Sequence, residues 1–289
     1  VNAAADTPFE IGIRSRVPVA DYRALPGVSI TRLKELRRSP LHYRYALAHP
    51  KETTALRLGT AAHVAVLEPE RFSSQFAIWA RRSEKTGNLC PKNGQWWESF
   101  QGENVGRDII TIDEAEYAMA IQRAVRADPD AMKYLEQGDP EVTLQWTLRG
   151  RQSKGRLDWL TMIDGRPYLV GLKSARDCRE YIFGYQAWKL GYHLQWAYYF
   201  DGYEFITDVQ PGMKEIVVEN TPPHAVAVYN IPDDIIQQGR DEYLVLHDQL
   251  LDCERAGEWP GPVRGETNLT FPTRAYETNE DLSDIGLEA

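Results

Sequence analysis

The chain has 289 residues, 43% hydrophobic, 26% charged and 11% aromatic, which is enough apolar material to bury the core of one substantial domain. A net charge of -9 excludes a protein that coats nucleic acid with its whole surface, because phosphate binding needs clustered Lys and Arg; it permits a local basic groove. No run approaches the roughly 18 to 20 uncharged apolar residues of a membrane span, and Cys90, Cys178 and Cys253 match neither a disulfide framework nor a zinc knuckle. With no basic-then-apolar opening segment, a soluble cytoplasmic protein without a membrane partner is expected.

Residues 1–28 mix Pro, Ala and charge without period and read as a loosely attached arm. Ser29-Ile30-Thr31 precedes a helical pattern with Leu33 and Leu36, and Pro40 after Ser39 opens a second short helix. Leu58 to Leu67 is a third, in which Gly59 and Ala62 would let a neighbour approach. Residues 81–106, with Trp96 and Trp97, read as a loop or partly helical insertion; Asp113 is then expected to cap a helix running to about Leu135.

The period changes at Glu141. Glu141 to Leu148, Gly155 to Ile163 and Pro167 to Ser174 are strand-like runs separated by Arg149-Gly150 and Asp164-Gly165, hence a meander. Helices are predicted over Tyr181 to Gly191 and His193 to Phe200, strands over Ile216 to Glu219 and Ala225 to Asn230, and a closing helix over Asp233 to Arg255 with Ile235, Tyr243, Leu246 and Leu250 inward. The domain is expected to span 29–260, followed by a polar, acidic tail over 261–289, read as disordered.

Strand alternation places Leu169, Gly171 and Lys173 on one face, so a lysine projects beside a position without a side chain. Asp158 lies inside an apolar run on the preceding strand. A buried carboxylate is costly unless paired or metal-bound, so Asp158 and Lys173 form either a structural ion pair or part of a hydrolytic site. Three groups of bases, Arg37, Arg38 and Arg44, then Arg81, Arg82 and Lys85, then Arg149, Arg151, Lys154 and Arg156, are either solvated faces or parts of a basic groove.

Four stretches extend this reading: Ser39-Pro40-Leu41-His42-Tyr43, Gly59 to His63 followed by Leu67-Glu68-Pro69-Glu70-Arg71-Phe72, Lys154 to Trp159, and Tyr192 to Tyr199. With Asp158 and Lys173 they make the chain resemble the RecB-type, lambda-exonuclease-related nucleases of the PD-(D/E)xK superfamily, nearest the RecE-like exonucleases, over roughly Ser29 to Tyr203. The resemblance implies an α/β fold with a restriction-endonuclease-like core, a central mixed sheet flanked by helices. It implies that His63, Asp158, the Leu172 carbonyl and an acid two residues before Lys173 hold magnesium or manganese. Lys173 would orient or help deprotonate the attacking water and offset phosphate charge. Gln195 and Tyr199, one helical turn apart, would reach the site or the DNA backbone, and Glu141 would supply a further carboxylate. Without those signatures, His63 reads as a satisfied core histidine, and Gln195 and Tyr199 as a polar helix face.

The same resemblance implies 5′-to-3′ digestion of one strand of linear double-stranded DNA, a ring-shaped homo-oligomer, tetrameric by analogy, and work beside a single-strand annealing protein in phage-type recombination. Arg81, Arg82, Lys85 and Arg156, with Gln195 and Tyr199, are the expected DNA contacts. The chain departs from the pattern at Gly171, where the acid should be. A chain so changed is expected to be impaired, through a disabling substitution or natural loss with DNA-end binding or only the fold kept, unless Glu141 supplies the acid; Gly171→Asp is then expected to raise metal affinity and cleavage together.

Overall fold

A computed structural model describes residues 9–49 and 54–270. In chain order the elements are β1 (Gly12–Arg14), α1 (Val19–Ala24), β2 (Val28–Ser29), α2 (Ile30–Leu33), a 3-10 turn (Lys34–Arg37), α3 (Pro40–Ala48), α4 (Thr54–Leu67) and α5 (Pro69–Gln75). Next come β3 (Phe76–Trp79), α6 (Gly94–Glu103), β4 (Asp108–Thr111), α7 (Ile112–Ala127), α8 (Pro129–Leu135), β5 (Asp139–Leu148), β6 (Arg151–Ile163) and β7 (Arg166–Ala175). The chain continues through α9 (Glu180–Leu190), α10 (Tyr192–Thr207), β8 (Gly212–Glu219), β9 (Val226–Asn230) and α11 (Asp233–Ala256).

The main sheet is mixed and seven-stranded, in the order β1-β5-β6-β7-β8-β9 with β2 added beside β6. Its centre is the expected meander. Both hairpins turn on a left-handed residue followed by a left-handed glycine, Arg149-Gly150 (φ 47° and 79°) and Asp164-Gly165 (φ 50° and 75°), whose twist matches that of the flanking strands. β7 and β8 run parallel, joined through α9 and α10.

Side-chain alternation sorts the sheet into two cores. Leu157, Leu169, Met213 and Val217 pack with α9, α10 and α11 on one face. Trp159, Val170, Leu172, Ile216 and Val218 pack with α4, α7 and α8 on the other. Leu157 and Trp159 are two apart yet enter opposite cores, so alternation is interrupted at Asp158. Across the ladder, between the pairs Pro140↔Trp159 and Val142↔Leu157, Glu141 takes a left-handed φ of 54°. Such interruptions re-aim a side chain, and here it is that of Asp158.

α4 is held over this point by α7, whose Gln122 and Arg126 donate to the Ala65 and Val66 carbonyls at 2.7 and 2.8 Å, satisfying orphan acceptors of the α4 C-terminus. Ala62 is buried as expected, but a side chain at Gly59 would meet only open space. On the opposite face Arg240 and Tyr243 of α11 both bond Asp201 of α10, fixing α10 against the sheet.

Several expectations need correction. The segment before residue 29 is no loose arm: β1 pairs antiparallel with β5, and the buried Lys154 Nζ donates to the Tyr22, Arg23 and Leu25 carbonyls at 3.1, 3.2 and 2.5 Å. Residues 1–8 lie outside the described residues. The helix capped at Asp113 is two helices: Thr111 and Glu114 form a capping box, and Asp128-Pro129 ends α7 and starts α8, because Pro cannot continue a ladder but suits a first turn. Residues 81–106 are flanked by a parallel pair, β3 and β4, that the residue pattern does not announce. In α11 Ile236 rather than Ile235 is fully inward. Of the tail, 261–270 carries no helix or strand, and 271–289 lies outside the described residues. Among the described residues no helix is long and apolar enough to cross a membrane.

Candidate active site

Three sequence-predicted residues meet at the Asp158 interruption. Lys173, on β7, places Nζ 3.0 Å from Asp158 Oδ2, and the Leu172 amide donates to that oxygen at 2.9 Å. From the other side α4 brings His63 Nδ1 to 3.9 Å from Asp158 Oδ1. Burial alone would push the Asp158 carboxyl up, but Lys173, His63 and the Leu172 amide outweigh it and hold the group below the usual carboxylate range. Burial likewise opposes the Lys173 ammonium, and Asp158 with Glu215 overrides it, so the lysine keeps its proton well past its ordinary pKa.

Glu215 is the residue that sequence reasoning missed. It lies opposite Gly171 in the β7–β8 ladder, on the face shared with Lys173. It is fully buried; Oε2 accepts from the Trp196 indole N–H, and Oε1 has no hydrogen-bond partner but lies 3.6 Å from Lys173 Nζ. Burial pushes its carboxyl up to about 7 against the pull of Lys173. The one sequence signal is an acid directly before the apolar run Ile216-Val217-Val218; a strand begun at Ile216 starts one residue too late to include it. The gap at Gly171 is thus filled: a Cβ there would strike Glu215 Oε1, and would lie 2.5 Å from Oε2 and 2.7 Å from the carboxyl carbon. An acid introduced at 171 would therefore have to displace the Glu215 carboxylate.

Gln195 and Tyr199 also line this cleft, with Gln195 Nε2 donating to Tyr199 Oη at 3.3 Å. The Tyr199 ring rests against Gly155, where any Cβ would come within 2.8 Å of it, which explains a glycine inside β6. Burial keeps the Tyr199 phenol neutral far above its usual range. Glu141 is close but engaged: its carboxylate is ion-paired with Arg156. It does not fill the space at 171.

Arg156 is paired with Glu141 and lies over the Tyr22 ring. Its neighbours are spent similarly, Arg149 on Asp248, Arg151 on Glu254 and Lys154 on carbonyls. Arg37 pairs with Glu242. Arg81, Arg82 and Lys85 differ: they are exposed, and among the described residues none is ion-paired. Arg81 stacks on the exposed Trp96 at 3.9 Å, whereas Trp97 packs edge-on against Trp79.

Among the described residues no three His, Cys, Asp or Glu side chains stand ready-made around one metal position. The oxygen donors gather instead about the Lys173 ammonium: Asp158 Oδ2 at 3.0 Å, the Leu172 carbonyl at 3.2 Å and Glu215 Oε1 at 3.6 Å. Two carboxylates and a carbonyl converge beside the ammonium, one carboxylate oxygen buried and without a partner, and oxygen donors of this kind fit magnesium or manganese.

Known proteins share this architecture. A putative exonuclease from Eubacterium rectale has the fold at a TM-score of 0.61 with 13% identity, covering 91% of this chain and 99% of that one. The protein SSO0001 (TM-score 0.33, 11% identity, 76% of each chain) and protein VC1899 from Vibrio cholerae (0.22, 14%, 84% of this chain and 63% of that one) are too distant to carry an argument. No curated protein matches the sequence. The model of the PDDEXK-like domain of unknown function (DUF3799) matches residues 29–268, and the chain belongs to that family, within the PD-(D/E)xK superfamily whose core its sheet reproduces.

Proposed function

We propose that this protein is a metal-dependent nuclease, specifically a 5′-to-3′ exonuclease on linear double-stranded DNA that prepares single strands for phage-type homologous recombination. The observation that carries the reading is the Asp158–Lys173 pair on adjacent strands, set at a break in sheet alternation with His63 above it. A purely structural pair needs neither the break nor the histidine. The name given to the Eubacterium rectale protein points the same way.

Asp158, the Leu172 carbonyl and His63 would hold the magnesium or manganese ion, which when bound polarises phosphate and acidifies water. Lys173, paired with Asp158, would orient or help deprotonate the attacking water and offset charge building on the phosphate. Tyr199 stays neutral, so its hydroxyl can donate to a phosphate oxygen while Gln195 holds it in place. Arg81, Arg82 and Lys85, beside the exposed Trp96, form the surface that meets the DNA backbone. A ring-shaped homo-oligomer, tetrameric by analogy, would gather these bases around a duplex while leaving the exterior acidic, and a single-strand annealing protein would take the product. The working compartment is the cytoplasm.

The test is digestion of end-labelled linear duplex with magnesium or manganese, against closed circular DNA and against Lys173→Ala. Metal-dependent release of nucleotides from 5′ ends that vanishes in the variant supports the reading. Equal background release by both proteins, with duplex ends still bound, would replace it with a catalytically silent end-binding protein.

A further inference from the structure

Gly171 and Glu215 share one space. The backbone at Gly171 is ordinary extended strand, absent from the glycines at positive φ, so conformation does not demand glycine there. What a side chain would meet is the Glu215 carboxylate, the end of a flexible side chain that would have to leave the Trp196 indole to make room. Glu215 in turn reaches the cleft across the space above Gly171. A glycine inside a central strand weakens that strand, and a buried carboxylate with an orphaned oxygen is costly, so two unfavourable choices occur face to face on paired strands. A valine at 171 and an apolar residue at 215 would remove both costs and continue the core made by Leu169, Met213 and Val217.

The arrangement at Lys173 explains why they persist. Glu215 Oε1, Asp158 Oδ2 and the Leu172 carbonyl surround one cation, the Lys173 ammonium, and the Trp196 indole holds the other Glu215 oxygen so that Oε1 faces it. These are two carboxylates and a carbonyl, the oxygen set a hard divalent ion takes. Asp158 and Glu215 flank position 171 on the two neighbouring strands, β6 and β8.

We propose that Glu215 is the carboxylate that position 171 lacks: the acid has moved from β7 to the adjacent strand β8, serves one divalent-cation site with Asp158 and the Leu172 carbonyl, and occupies the space that glycine leaves open at 171. The proposal rests on the reading of the cleft as a metal-dependent nuclease site, and it reverses the expectation that this chain is impaired for want of an acid.

Manganese binding to the full chain, followed by calorimetry and by paramagnetic resonance of the bound ion, tests it apart from cleavage. Glu215→Gln keeps the size and the acceptor for Trp196, so it should fold, and should bind manganese on the order of tenfold more weakly or worse. Gly171→Asp should bind more weakly than the parent and melt lower, because two side chains compete for one space. Gly171→Asp/Glu215→Ala, which returns the acid to β7 and vacates its present place, should regain most of the affinity missing from either single variant. If Glu215→Gln were to misfold, this double variant against Glu215→Ala asks the same question. Unchanged manganese affinity in Glu215→Gln, tighter binding by Gly171→Asp alone, or no manganese binding by any variant would overturn the proposal. The nuclease reading fails separately: with the affinity pattern as expected but no cleavage of linear duplex, Glu215 remains a cation ligand and the assigned reaction is wrong.

Discussion

At the centre of the sheet each charge is answered from within the molecule. Asp158 has Lys173, the Leu172 amide and His63; Glu141 has Arg156; Glu215 has Trp196 and, at longer range, Lys173. Between β3 and β4 the reverse holds, with Arg81 lying on an exposed Trp96 and Lys85 without an ion pair among the described residues. Both regions are rich in charge, yet only one has its charges withdrawn from solvent. In the centre, low dielectric makes each group's state depend on its neighbours, as chemistry on a phosphate requires. At the excursion the charges stay solvated and screened, which suits attraction of a polyanion.

The contrast can be broken first at Lys173. Lys173→Ala should abolish metal-dependent hydrolysis, a loss of about a thousandfold or more if it offsets transition-state charge as preorganised donors do. It should also destabilise the fold by about 3 to 5 kcal/mol, because Asp158 is left buried without its main partner. Denaturant midpoints and initial rates measure the two separately; an unchanged midpoint would mean that the centre is wetter and less coupled than the geometry indicates.

A smaller effect sharpens the comparison through pH. The Glu215 carboxyl is raised from 4.5 to about 7, so the folded chain holds a proton that the unfolded chain has released between those values. Its contribution to stability is therefore fully present below about 4.5 and lost as pH rises through about 7. In EDTA the parent should lose on the order of 1 to 3 kcal/mol relative to Glu215→Gln across that window. A flat difference between the two melting profiles would remove the assignment of a buried, raised carboxyl.

The smallest effect belongs to the excursion. Arg81→Ala with Lys85→Ala should leave stability within about 0.5 kcal/mol of the parent, as exposed side chains outside any ion pair do. Duplex-end affinity should fall several-fold at low salt, and the slope of log affinity against log salt should drop by roughly 0.9 for each phosphate no longer neutralised. Matching Arg149→Ala and Arg151→Ala changes, at bases already paired with Asp248 and Glu254, should leave that slope unchanged. If both pairs shift it equally, internal neutralisation does not decide which bases meet DNA.

Much of the site was legible in the sequence where its determinants are local. Arg149-Gly150 and Asp164-Gly165 set the hairpins, which fix the order of β5, β6 and β7 and put Asp158 beside the lysine strand. The small-residue helix carrying His63 and the tyrosine-rich helix carrying Gln195 and Tyr199 were recognisable by pattern. The pairing of Arg156 was not legible, because an arginine in a basic run looks alike whether it faces solvent or Glu141.

What the sequence determined by itself was the central meander, most of the helices around it and the lysine without its acid, since turn chemistry, period and motif order act over a few residues. What only the tertiary structure decided was which side chain fills the space beside Gly171. Glu215 meets Gly171 because β8 returns through α9 and α10 to lie parallel to β7, in a register set by the two cores rather than by any turn. No local rule pairs those positions; only the shared volume between them shows that the gap in one strand is the room taken by the other.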